Sequence, residues 1–180
     1  LLQANVDGFI ITPTEKLEKS IDQLLKIKMP VVLIDRYFPS QQVSHVVMDN
    51  YEGAYTATEF LIKKGRSKIA LINNNSGMIQ MQLRENGYVD AMKKAGIYDE
   101  SLIYHLDYHS SEEKKIEEII LFFENNKKID AVLFLANYLG LAGIQAFRRM
   151  DIRLPEDLSV ISYDDHYSFK LHSPSITVVE

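Results

Sequence analysis

The chain has 180 residues, 46% hydrophobic and 25% charged, which suits a soluble globular protein of one large domain or two small lobes. Its 20 Lys and Arg against 25 Asp and Glu leave a formal charge of −5, so it lacks the basic footprint that grips nucleic-acid phosphates. With no cysteine, disulfides, thiolate nucleophiles and Cys-ligated zinc are excluded.

Strand-like apolar runs alternate with helical periodicity along the chain. Leu1 and Leu2 read as the end of a helix, and GFII at residues 8–11 predicts a short buried strand. A helix is expected over residues 14–28, where Leu17, Ile21, Leu24, Leu25 and Lys28 share one face, Thr14 caps and Pro30 stops it. VVLI at 31–34 and HVVM at 45–48 are strands, followed by a helix capped by Asp49 or Asn50, running through Lys64 and closed by Gly65. KIALI at 68–72 is a strand, 81–95 a helix closed by Gly96, and 102–106 a weaker strand. The remaining elements are a helix over 112–126, a strand at 130–135, a helix over 139–150, a strand at 158–162 and a β-like run at 176–179. This strand–helix repetition with wholly apolar strands predicts an α/β fold whose parallel sheets are covered by helices on both faces. Turn chemistry suggests passages between lobes at 48–50 and at 172–175.

No run is long enough to cross a bilayer as a helix, and no signal peptide is visible at the first residues. A cytoplasmic protein without membrane contact is therefore the expectation.

Ligands of open parallel sheets bind beyond the carboxyl ends of the strands. The residues there are Thr12, then Asp35-Arg36-Tyr37, Asn73-Asn74-Asn75, Asn137-Tyr138 and Tyr163-Asp164-Asp165. Carboxylates and amides pair with vicinal hydroxyls, arginine offers a forked donor, and aromatic faces cover the C–H side of a sugar ring. Any one of these residues is as readily a loop or helix cap; five strand ends together favour a site for a polyhydroxylated small molecule.

Other signals are weaker. Asp164 and Asp165 are neighbours on a strand, point to opposite sides and make a poor proton-sharing pair. His105, Asp107 and His109 lack the helical context of a metal site, and His166 and His172 read the same way. The hydrolase elbow, the phosphate-binding loop and the dinucleotide fingerprint are all missing. Neither a metal, a cofactor nor catalysis is expected.

Several segments together resemble the effector-binding core of lactose-repressor-type transcriptional regulators. VDGFII at 6–11 is similar to that family's VDGIII strand, and MPVVLIDR at 29–36 to its IPVVLIDR. VMDNYEGA at 47–54 resembles VxxDNxxGA, and Arg84-Glu85-Asn86-Gly87-Tyr88 the RxxGY helix. IRLPEDLSVISYDD at 152–165 resembles IxIPEDVSVIGFDD, and PSITVV at 174–179 the PxLTTV crossover. The resemblance covers essentially the whole chain in the family's order.

It implies two Rossmann-like lobes of the periplasmic-binding-protein type I kind, in a fragment lacking both ends. Residues 1–48 would be a partial N-terminal lobe, 49–174 the C-terminal lobe, and 175–180 a crossover strand returning to the first. Asp35, Arg84, Asn137 and Asp164 match the family's ligand contacts, with Thr12, Asn73, Tyr138 and Tyr163 as further candidates and Arg84 projecting into the cleft. The implied partners are a small effector, carbohydrate in character, a second copy of the chain, and operator DNA held by a helix-turn-helix not present in these residues. Two departures stand out: Asn137-Tyr138 where the family often has Asn-Asp, and Asn73-Asn74-Asn75 in place of a glycine-containing turn. The rival reading is a periplasmic sugar-binding protein of a transport system, which shares the fold.

Overall fold

Two separate parallel sheets form the skeleton. The computed structural model describes residues 5–14 and 16–180, so the helix end expected at Leu1 and Leu2 lies outside the described residues. The first sheet holds β1 (Phe9–Ile11), β2 (Val31–Ile34) and β3 (Ser44–Val46) in that order, with α1 (Glu18–Lys26) between β1 and β2. The second has the order β5-β4-β6-β7-β8, from β4 (Ile69–Asn74), β5 (Ile103–Leu106), β6 (Ala131–Phe134), β7 (Ser159–Tyr163) and β8 (Thr177–Val179). Around it run α2 (Asn50–Lys63), α3 (Ile79–Lys94), α4 (Glu112–Asn125) and α5 (Asn137–Arg149), with a short α6 (Tyr167–Lys170) that the periodicity did not announce.

Burial differs between the sheets for a reason visible in their strands. Every residue of β4 and β6 is buried, as helices on both faces require. β2 instead alternates, with Val31 and Leu33 buried beside Ile21 and Leu24 of α1, and β3 is exposed throughout. Among the described residues the expectation of double cover thus holds for the second sheet and is corrected for the first.

Helix ends follow local chemistry. The Asp49 side chain accepts from Glu52 N at 3.0 Å and starts α2. Gly65, at φ +83°, ends it, with Arg66 N donating to Leu61 O at 3.1 Å. α1 ends the same way but on a lysine. Lys28 sits at φ +59° and Met29 N donates to Leu24 O at 3.0 Å, so the helix has stopped before Pro30. Its start is also corrected: Leu17 N donates to Thr14 O at 3.0 Å in a preceding turn, and the helix opens at Glu18 without a side-chain cap. α5 begins at Asn137, two residues early, which puts Asn137 and Tyr138 in its first turn.

Residues 177–179 form β8, which pairs in parallel with β7, with Ile161 opposite Thr177 and Tyr163 opposite Val179. Pairing with β7 satisfies the backbone of that segment, and Val178 and Val179 pack on the larger core.

Candidate functional site

Both sheets end their strands toward a common cleft. β2 ends in Asp35 and β7 in Asp164, and each aspartate adopts the left-handed conformation, at φ +70° and +62°. Each also donates its backbone N–H to the neighbouring strand, Asp35 to Val46 O and Asp164 to Val179 O, both at 3.0 Å. Aspartate tolerates this conformation better than most residues, so each strand turns sharply where its side chain meets the cleft.

Asp35, Arg84, Asn137, Tyr138 and Asp164 line one hollow of about 170 Å³. Sequence reasoning named all five. The wall is completed by Arg36, Asn74, Tyr108 and Gln80, among others, which were not singled out as contacts.

Arg84 is held more firmly than the resemblance implied. It is 4% exposed; its Nε donates to Asn50 Oδ1 at 2.7 Å and its Nη1 to Leu135 O at 2.6 Å. Nη1 also lies 3.5 Å from Asp164 Oδ2, and the guanidinium sits 3.9 Å from the Tyr163 ring centroid. Most of its donors are thus engaged within the protein, and it braces the cleft floor as well as facing the hollow.

Three other candidates lie off this wall. Asn73 is 3% exposed, donates to Glu85 Oε2 at 2.6 Å and accepts from Asn74 N at 2.7 Å. Adjacent strand residues face opposite ways, so Asn74 takes the expected place and donates to the Tyr138 hydroxyl at 2.6 Å. Tyr163 is fully buried under Arg84 with its hydroxyl donating to Asn50 O at 2.9 Å. Burial pushes its phenol well above the usual tyrosine range, against the pull of Arg84. Thr12 is exposed and lines neither this hollow nor the larger one beside it.

That larger hollow, about 450 Å³, is walled by Pro13, Thr14, Tyr37 and Phe38 from the elements around the first sheet (the first unit) and by residues of the 76–82 segment from those around the second sheet (the second unit). Arg36, Met78 and Gln80 line both hollows. Tyr37 is braced by stacking on His45, ring centroids 4.3 Å apart and 5° from parallel. Tyr138, where the resemblance led one to look for a carboxylate, presents a phenol pushed up to about 12 by burial. Of the missed wall residues, Asn74 and Arg36 stood inside strand-end triplets already quoted. Tyr108 gave no signal, since it comes from the loop after β5.

A family model described as "Periplasmic binding protein-like domain" matches residues 58–180. The chain belongs to this family. Family membership is accompanied by likeness to lactose-repressor-type regulators over almost the full chain, as the motifs implied. The HTH-type transcriptional repressor PurR of Aliivibrio fischeri (strain MJ11) is 27% identical over 99% of this chain and 54% of its own length. The HTH-type transcriptional regulator CelR of Thermobifida fusca is 31% identical over 97% of this chain and 52% of its own. A solved complex of the transcriptional regulator CelR with cellobiose superposes with a TM-score of 0.84 at 29% identity, covering 97% of this chain and 54% of that one. The chain therefore spans about half the length of the curated relatives it matches. Among the described residues no helix is long and apolar enough to cross a membrane.

Proposed function

We propose that this chain is the effector-sensing part of a lactose-repressor-type transcriptional regulator. The observation that carries the reading is the shared hollow, to which the first unit contributes Asp35 and the second Arg84, Asn137 and Asp164. A molecule bound there touches both units at once, so its affinity depends on their relative orientation. Such differential affinity is the source of allosteric coupling, typically about 1–3 kcal/mol. In the whole protein that orientation sets the spacing of two DNA-binding heads in a homodimer, through a helix-turn-helix that is not part of these 180 residues.

The effector is a small polyhydroxylated molecule, carbohydrate in character, and the protein works in the cytoplasm without catalysing a reaction. The mixture of carboxylates, amides, arginines and tyrosines in the hollow supports this class of ligand. The relatives named above are regulators of transcription, which favours this reading over a transport receptor of the same fold. The test is a thermal-shift screen of sugars and nucleosides against the folded chain. The expected result is a rise in melting temperature with at least one sugar, lost in Asp164→Asn. A flat response to every compound would remove the sensing role.

A further inference from the structure

We propose that Lys115 is a positioning residue of the effector site, its buried ammonium pinning the loop after β5 so that Tyr108 stands as a fixed wall of the cleft. The proposal rests on the reading of the cleft as an effector site and adds to it a residue that lines none of its hollows.

Lys115 is where a lysine is least expected. Glu112, Glu113 and Lys114 ahead of it in α4 are exposed, yet Lys115 is 7% exposed. A long charged side chain is rarely buried without bonding partners, because its hydration is lost. It also stands near the start of α4, where the helix dipole disfavours a cation. Both costs are offset at one place: Nζ donates to Tyr108 O at 3.2 Å and also to Ser110 O. Charge-assisted bonds are the strong ones, and here both go to the backbone of one short loop.

That loop is gripped from its other side as well. Tyr108 N donates to Asn75 Oδ1 at 2.9 Å, and Asn75 N donates to Leu106 O at 3.1 Å. Within the loop, Ser110 N donates to Asp107 O at 3.2 Å and His109 N to Asp107 Oδ1 at 3.1 Å. The N–H and the carbonyl of Tyr108 are thus each fixed by a side chain from a different part of the second unit. Tyr108 itself lines the inner hollow and a small one of about 170 Å³ that it shares with Thr14, Lys16 and Arg36 of the first unit. It is a point where the two units face each other.

Pre-ordering gives the buried cation its purpose. A loop held only by water is ordered when the ligand arrives, and that ordering is subtracted from affinity. With Lys115 in place the wall is formed beforehand. Asn74 serves the other tyrosine of the hollow in the same way, donating to the Tyr138 hydroxyl at 2.6 Å.

The test exploits the absence of tryptophan from the chain. Tyr108→Trp places a lone fluorophore on the loop, and Phe60→Trp, on the exposed side of α2, serves as a separate control reporter. Without ligand, Lys115→Met should lower the anisotropy of the loop reporter by about a third, as nanosecond motion is released, and leave the control unchanged. Lys115→Arg, which keeps a cation able to reach two carbonyls, should restore most of that loss. With Tyr108 native, calorimetric titration with glucose, ribose and cellobiose should show at least one sugar binding the unsubstituted chain, and Lys115→Met weakening it about fivefold or more. Unchanged loop anisotropy in Lys115→Met, or an arginine no better than the methionine, overturns the pinning and leaves the sensing role standing. Loss in both reporters alike shows general loosening and overturns it too. A freed loop with unchanged sugar affinity overturns the positioning role. If none of the three sugars gives heat with the unsubstituted chain, the sensing reading falls and the assignment of Lys115 falls with it.

Discussion

Arg84 lies over the ring of Tyr163, its guanidinium carbon 3.9 Å from the ring centroid, and both side chains bond to Asn50. Arg84 Nε donates to the Asn50 side chain at 2.7 Å, and the Tyr163 hydroxyl donates to the Asn50 carbonyl at 2.9 Å. Three segments are tied there: the first turn of α2, the middle of α3 and the end of β7. Gly53 is part of the same knot, since a Cβ on it would stand 2.3 Å from the Tyr163 hydroxyl. The motifs DNxxGA, RxxGY and SYDD thus meet in space.

Arg84→Ala should destabilise the chain by about 2–3 kcal/mol, because it removes charged hydrogen bonds from a buried site. Arg84→Lys should recover only part of that, since an ammonium lacks the planar fork that reaches Asn50 and Leu135 together. Urea unfolding of the three proteins measures both effects. Equal midpoints for the wild type and Arg84→Ala would mean that the knot does not hold the fold.

Asp35→Asn and Asp164→Asn separate recognition from stability. Both side chains are 42% exposed, and asparagine tolerates the left-handed backbone as aspartate does. Unfolding should shift by less than about 1 kcal/mol, as for other exposed ion pairs. Effector affinity should fall at least tenfold, about 1.4 kcal/mol, by titration calorimetry. Unchanged affinity in both variants would place the ligand elsewhere.

Gly87→Ala tests how closely α2 and α3 approach. The added Cβ would lie 2.2 Å from Tyr51 O and 2.9 Å from Tyr55 N, both backbone atoms that cannot turn aside. Overpacking of this kind costs about 1–3 kcal/mol or more, read as a lower urea midpoint. A midpoint at or above the wild type would show that the helices separate freely.

Lys28 offers the opposite sign. It occupies a left-handed helix stop at φ +59° that glycine fills without steric penalty. Lys28→Gly should stabilise the first unit by about 0.5–1 kcal/mol, the steric relief exceeding the added freedom of the unfolded chain. Hydrogen exchange across α1 would detect it as slower opening, and faster opening would contradict it.

Alkali above pH 10 should weaken the fold through the buried phenols. Burial raises the phenols of Tyr88 and Tyr163 above their unfolded value of 10.0, and that of Tyr138 to about 12. With folded values above unfolded ones, the stabilisation is complete below pH 10 and is lost as pH climbs toward the folded values. Each of the two fully buried tyrosines should then remove up to about 1.4 kcal/mol per pH unit. Urea midpoints between pH 9 and 12, followed with tyrosinate absorbance, test this. Constant midpoints with early ionisation would show that the rings are not sealed.

Much of the second unit was legible because burial there obeys simple periodicity. β4 and β6 are continuous apolar runs, and Asp49, Gly65 and Gly96 mark helix ends by local stereochemistry alone. The first unit was harder. Leu17 and the residues after it carry helical spacing, yet the turn at Thr14 is set by a backbone bond that spacing does not encode.

Local sequence was sufficient for the α/β alternation, the parallel second sheet and a row of polar residues at strand ends, since these rest on short-range periodicity and turn chemistry. The strand-end pattern offered Asp35, Asn137, Tyr138 and Asp164, the family resemblance added Arg84, and all five line one hollow. Only tertiary structure decided that Asn74 rather than Asn73 faces the cleft, that Tyr163 lies beneath Arg84, and that β8 joins β7. Those outcomes depend on strand phase and on which distant backbone stands free to pair, and both are properties of the assembled sheet.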